Sequence, residues 1–139
     1  MTAFSLNIKT AADLHAEEQA RRAVAVTAER DRRIDAGFTF EGIRYQTRPA
    51  DRENVAGAAS AALEAIMGGA QPGDLRWHGG IADFAWIAED NNLVPMDAPT
   101  LRAFARAMMA HKQALIFAAR DLKDRAEIPA DITSDAFWS

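Results

Sequence analysis

At 139 residues with 49% apolar side chains, the chain can build one compact domain with a real core and still carry an appendage. Its 16 Lys and Arg against 20 Asp and Glu leave a net charge of −4, which offers no basic footprint for coating phosphates and argues against nucleic acid as a direct ligand. The absence of cysteine excludes disulfides, thiolate zinc sites and cysteine nucleophiles together.

The opening MTAFSLNIKT lacks the basic start and unbroken apolar block of a signal peptide, and apolar runs such as Ala114 to Ala119 are too short to span a bilayer. The expectation is a chain made in the cytoplasm with no membrane partner. Phe4, Leu6 and Ile8 alternate with Ser5, Asn7 and Lys9, the period-two pattern of a half-buried strand. A strand this short must pair within its own domain or add to the exposed edge of a partner's sheet.

Thr10 reads as the N-cap of a helix over Ala11 to Ala36, with Gly37 as the left-handed residue that stops it. Glu17 with Arg21, Glu18 with Arg22 and Glu29 with Arg33 stand four apart with the acid first, the favourable order for helical ion pairs. At 1.5 Å per residue such a helix is about 39 Å long, more than a small core needs, so it is expected to protrude. A heptad seam through Ala20, Thr27, Ile34 and Val24 also takes in Asp13, Glu17 and Asp31, which suits a solvated helix with a narrow contact stripe better than a coiled coil.

Phe38 to Tyr45 reads as a hairpin turning at Glu41-Gly42, with Phe40 opposite Ile43 and Phe38 opposite Tyr45 on one face. Pro49 and Asp51 introduce a helix over Arg52 to Met67, with Val55, Ala58, Ala62, Leu63 and Ile66 on one side and its alanines packed against the sheet, until Gly68-Gly69 ends it. Residues 70–74 are a loop. Leu75 to His78 and Ile81 to Ile87 suggest a second hairpin across Gly79-Gly80, and Asp90-Asn91-Asn92 marks the next turn. Asp97 caps a long core helix, with Leu101, Phe104, Ala105, Met108, His111, Leu115, Ala119 and Leu122 at helical spacing until about Ala126. Phe137 and Trp138, in an otherwise polar tail, either fold back on the domain or dock elsewhere.

Catalysis needs titratable groups brought together with a nucleophile or a metal, and no such constellation is visible. His15, His78 and His111 lie far apart without the spacing of a helical zinc site; His15 with Glu18 is a bare HxxE, and His111 falls on the apolar face of the core helix. Gly68-Gly69 and Gly79-Gly80 lack a phosphate-loop context, and Ser60 and Ser134 lack a nucleophile elbow. Asp51, Glu53, Asp83, Glu89 and Asp90 fall at expected caps and loops. Tyr45, Trp77, Phe84 and Trp86 read as core ahead of a ligand platform. No catalytic residue, metal ligand or cofactor site is assigned.

From Arg33 to Ile128 the order of signals resembles an uncharacterised phage and prophage domain family associated with tail-fibre and tail-assembly proteins. The residues that carry the resemblance are Phe40, Gly42 and Tyr45-Gln46-Thr47 at the first hairpin, Trp86, Asp90-Asn91, Val94-Pro95-Met96, and Leu101, Phe104, Ala107 and His111 on the core helix. The resemblance implies a virion-associated or tail-assembly role, a chain made in the host cytoplasm, and no known catalytic residues.

Together these readings give an α+β fold with a long N-terminal helix and small antiparallel hairpins packed on two further helices. Residues 1–36 form an attachment segment, 37–128 the α+β domain, and 129–139 a tail. The expected function is that of a non-enzymatic tail component at the tip, baseplate or fibre, bound to other phage tail proteins and to copies of itself, a trimer being favoured. The partner-binding residues are expected to be Phe4, Leu6, Ile8, Val24, Ile34, Phe137 and Trp138. A tail-assembly chaperone is the alternative, and a cell-wall-degrading enzyme a more distant one.

Overall fold

The structure, a computed structural model, describes residues 8–139. Thr10 opens the first helix, α1 (Ala11–Asp35), through a reciprocal cap: its hydroxyl accepts the Asp13 N–H at 3.1 Å, and the Asp13 carboxylate accepts the Thr10 N–H at 3.0 Å. Of the three expected ion pairs, Glu18 with Arg22 and Glu29 with Arg33 form, at 3.1 and 2.8 Å. Glu17 turns instead to Lys9 at 2.7 Å, and Arg21 takes Glu18 one residue nearer at 2.6 Å. Gly37, at φ 97°, reverses the chain as anticipated; a Cβ there would sit 2.8 Å from the Tyr45 carbonyl oxygen.

The strands β1 (Phe38–Phe40) and β2 (Ile43–Tyr45) pair in the expected register, Phe38 with Tyr45 and Phe40 with Ile43. Glu41 and Gly42 both adopt positive φ, as a two-residue turn matching the strand twist requires. Thr47 then ties this hairpin to α1: its hydroxyl donates to the Ile34 carbonyl at 2.6 Å and accepts the Gly37 N–H at 2.8 Å.

Helix α2 (Pro49–Met67) starts three residues earlier than the sequence suggests, because Pro49 occupies its first turn and the Asp51 carboxylate accepts the Arg48 N–H at 3.0 Å. At its other end Ala70 N–H donates to the Ala65 carbonyl and Gly69 N–H to that of Ile66, with Gly69 at φ 103°. The alanines of α2 face the third long helix, not the sheet, and Leu63 turns outward.

The second hairpin differs from expectation. Strand β3 (Ala85–Ile87) pairs antiparallel with β4 (Leu93–Pro95) across the Asp90-Asn91-Asn92 turn. Residues 75–79 instead coil as turns, and Ile81 projects into solvent. The cause is Trp77: its ring is drawn into the core and its Nε1–H donates to the Met96 carbonyl at 3.0 Å, which a flat strand beside β3 would not permit.

Helix α3 (Ala98–Lys123) is capped by Asp97, whose carboxylate accepts the Thr100 N–H at 2.8 Å. Along it Leu101, Phe104 and Met108 enter one hydrophobic cluster with Phe38, Tyr45, Val55, Ala62, Trp77 and Met96. Its later turns supply Leu115, Ala119 and Leu122 to a second cluster with Val26 and Ile34 of α1 and with Ile128, Ile132 and Trp138 of the tail. The long α1 therefore does not stand clear of the domain, as its length suggested. Ile128 N–H donates to the Gln19 side chain at 2.8 Å, and Arg22 donates to the Ile128 carbonyl at 2.7 Å, so the helix is fastened from its third turn onward. The result is an α+β fold of three helices and two small antiparallel sheets.

Candidate docking surfaces

The residues expected to hold a partner are divided by the fold. Phe4 and Leu6 lie outside the described residues. Ile8 and Val24 are exposed, at 78% and 70%. Ile34 and Trp138 are instead consumed inside the chain, 5% and 6% exposed, in the same cluster, and Phe137 packs partly against it. The tail folds back because Trp138 finds both an apolar bed and a hydrogen-bond acceptor there: its Nε1–H donates to the Ile132 carbonyl at 2.7 Å, and the Arg33 guanidinium stands 5.4 Å from its ring centre.

The three histidines remain apart. His15 lies 3.5 Å from Glu127 on the surface, and His78 stacks edge-on against Phe84. Among the described residues no group of three or more His, Asp or Glu is gathered to hold a metal. His111 sits beside Phe38, ring centres 5.7 Å apart, with Nε2 buried and without a hydrogen-bond partner. Burial pushes its pKa below the ordinary histidine value, helped by Arg44 and opposed by the Arg33 carbonyl. The sign follows from the folded pKa being depressed for a base: its neutral form is favoured at neutral pH, and stability falls as pH drops below the unfolded value of 6.5. Unfolding followed from pH 7 to 5 should show a falling melting temperature, and His111→Leu should flatten that slope; an unchanged slope would remove His111 as the cause.

Two hollows mark the surface. The first is a groove between the chain leaving β2 and the outer edge of β3, walled by Gln46, Arg48, Asp51, Asn54, Trp86, Ile87, Glu89 and Asn91. Arg48 and Asp51 pair across one rim at 2.8 Å, which holds the Asp51 carboxyl below the usual carboxylate range. The Gln46 side-chain oxygen is itself enclosed, with no partner among the described residues. Gln46, Trp86 and Asn91, which the sequence places in three separate segments, meet at this groove.

The second is a furrow along the outer side of α2 and α3. Three adjoining hollows share Arg52, Lys112, Ala59, Ala105 and Met109 as common walls and run from Leu63 and Arg102 to Ile34 and Ile116. Leu63, Met109 and Ile116 are exposed, with Met109 reaching 70%. Arg102, Arg106 and Lys112 border them and form no ion pair among the described residues, whereas Arg52 is held by Asp35 at 2.7 Å. Sequence reasoning concentrated on the core stripe of α3 and missed this one, although Ala105, Met109, Lys112 and Ile116 recur at helical spacing. No described helix is long and apolar enough to cross a membrane.

A family model described as a domain of unknown function, DUF4376, matches residues 17–137. That span takes in most of α1 and nearly all of the tail, segments that the resemblance read from sequence left out, and it includes every buried residue of the second cluster but Trp138. No curated protein and no solved structure matches the chain.

Proposed function

The chain belongs to the DUF4376 domain family, and from that premise we propose that it is a non-enzymatic component of a phage tail, holding to other tail proteins through its surface. The observation that carries this reading is the furrow of α2 and α3, where Leu63 and Met109 stay exposed beside Arg102, Arg106 and Lys112, cations with no ion pair among the described residues. Apolar side chains set among these cations suit a partner segment with an apolar stripe and acidic flanks. The motif-level resemblance to tail-associated domains supports the location, and self-association accompanies it.

Met109→Asp tests the furrow. Met109 is mostly exposed, so thermal unfolding should stay within about 0.5 kcal/mol of the parent. Incorporation into particles should be lost, because the new carboxylate would be buried against an acidic partner. Normal incorporation of the folded variant would exclude the furrow as the attachment surface.

A further inference from the structure

Strand β3 has one edge occupied and one open. Met96 N–H donates to the Phe84 carbonyl at 3.0 Å and Ala88 N–H to that of Asn92 at 2.9 Å, so Trp86 and Ala88 point their backbone groups at β4, while the Phe84 N–H turns to the Leu75 carbonyl at 2.7 Å. Antiparallel alternation then turns the N–H and C=O of Ala85 and Ile87 toward the opposite side, into the groove beside Gln46. Glu89, next in that alternation, already shows the edge in use: its N–H donates to the Arg44 carbonyl at 2.9 Å. Beyond that bond the groove opens between β3 and the chain that follows β2.

We infer that this open edge receives the Phe4–Ile8 strand of a neighbouring copy. That segment has the strand alternation, and its two faces match the two sides of the gap. Phe4, Leu6 and Ile8 continue the apolar outer face begun by the opposed, exposed pair Ile87 and Leu93. Ser5 and Asn7 fall on the other face, toward the polar wall formed by Gln46 and Asn54.

Reach excludes the chain's own segment. The groove begins at Glu89, beside Gly37 at the far end of α1 from Thr10. The 25 residues of α1 put about 37 Å between them, whereas the six residues from Thr10 back to Phe4 span at most about 21 Å. The strand therefore serves another copy, giving a head-to-tail contact that closes into a ring when the rotation permits. The inference does not depend on where the assembled protein is used.

Light scattering on the full chain should give an oligomer, and Leu6→Asp should reduce it to the monomer mass. A parent chain that scatters as a monomer would overturn the inference, as would an oligomer unchanged by Leu6→Asp. To locate the acceptor in this cysteine-free protein, full-length Asn7→Cys can be mixed with either Asn54→Cys or Val24→Cys and treated with a short bismaleimide. A cross-linked 7–54 peptide in the first mixture, with loss of the corresponding 7–24 product in the second, is expected. Equal yields would place the strand elsewhere and overturn the assignment.

Discussion

Phe104→Ala should cost about 3–5 kcal/mol of folding stability, among the largest losses available to a single substitution in this chain. The ring of Phe104 is fully buried and stands 5.6 Å from Phe38, 5.4 Å from Phe40, 4.7 Å from Tyr45 and 5.8 Å from Trp86, centre to centre. It thus joins α3 to both hairpins. Truncation leaves a cavity that four rings from three segments cannot close together, and edge-on ring contacts are lost with it. The melting temperature should fall by roughly 10–20 °C, and the first hairpin should lose protection from amide exchange before α1 does. A loss below about 1 kcal/mol in chemical denaturation would mean that the hairpins are held by something other than this cluster.

The second large effect is expected from Trp138→Ala, again about 3–5 kcal/mol. The substitution removes a buried ring from the bed formed by Val26, Ile34, Leu115 and Leu122, leaves the Ile132 carbonyl without its indole donor, and frees Arg33 from the ring face. Arg33 also donates to the Thr133 carbonyl at 2.7 Å, so the tail is tied at more than one point and should loosen as a unit. A variant that unfolds like the parent yet fails to join its assembly would return Trp138 to the partner-facing role its place in the sequence suggested.

How much was legible follows from how local each signal is. The Phe38–Tyr45 hairpin was readable to the residue because Glu41-Gly42 permits the turn and the flanking side chains alternate. Helix α3 was readable because eight of its residues, from Leu101 to Leu122, recur at helical spacing and Asp97 marks its start. Residues 75–81 were misread, since Leu75 and Trp77 alternating with Arg76 and His78 resemble a strand and only the distant Met96 carbonyl shows otherwise. Val26 and Ile34 give α1 too thin a stripe to announce a core partner; what buries them comes from the end of α3 and the tail, roughly a hundred residues away. The β3-edge groove was hidden for the same reason. Nothing beside Gln46 in sequence indicates that the residue will line a groove with β3.

The proposed placement of this domain in a phage tail is tested most directly by quantitative mass spectrometry of particles purified from lysates of cells that carry its gene. The account predicts the chain in fixed stoichiometric copies, with Met109→Asp particles depleted of it while the variant remains folded in the lysate. A chain absent from particles, yet abundant and folded in the lysate, would contradict it and favour a transient role in assembly.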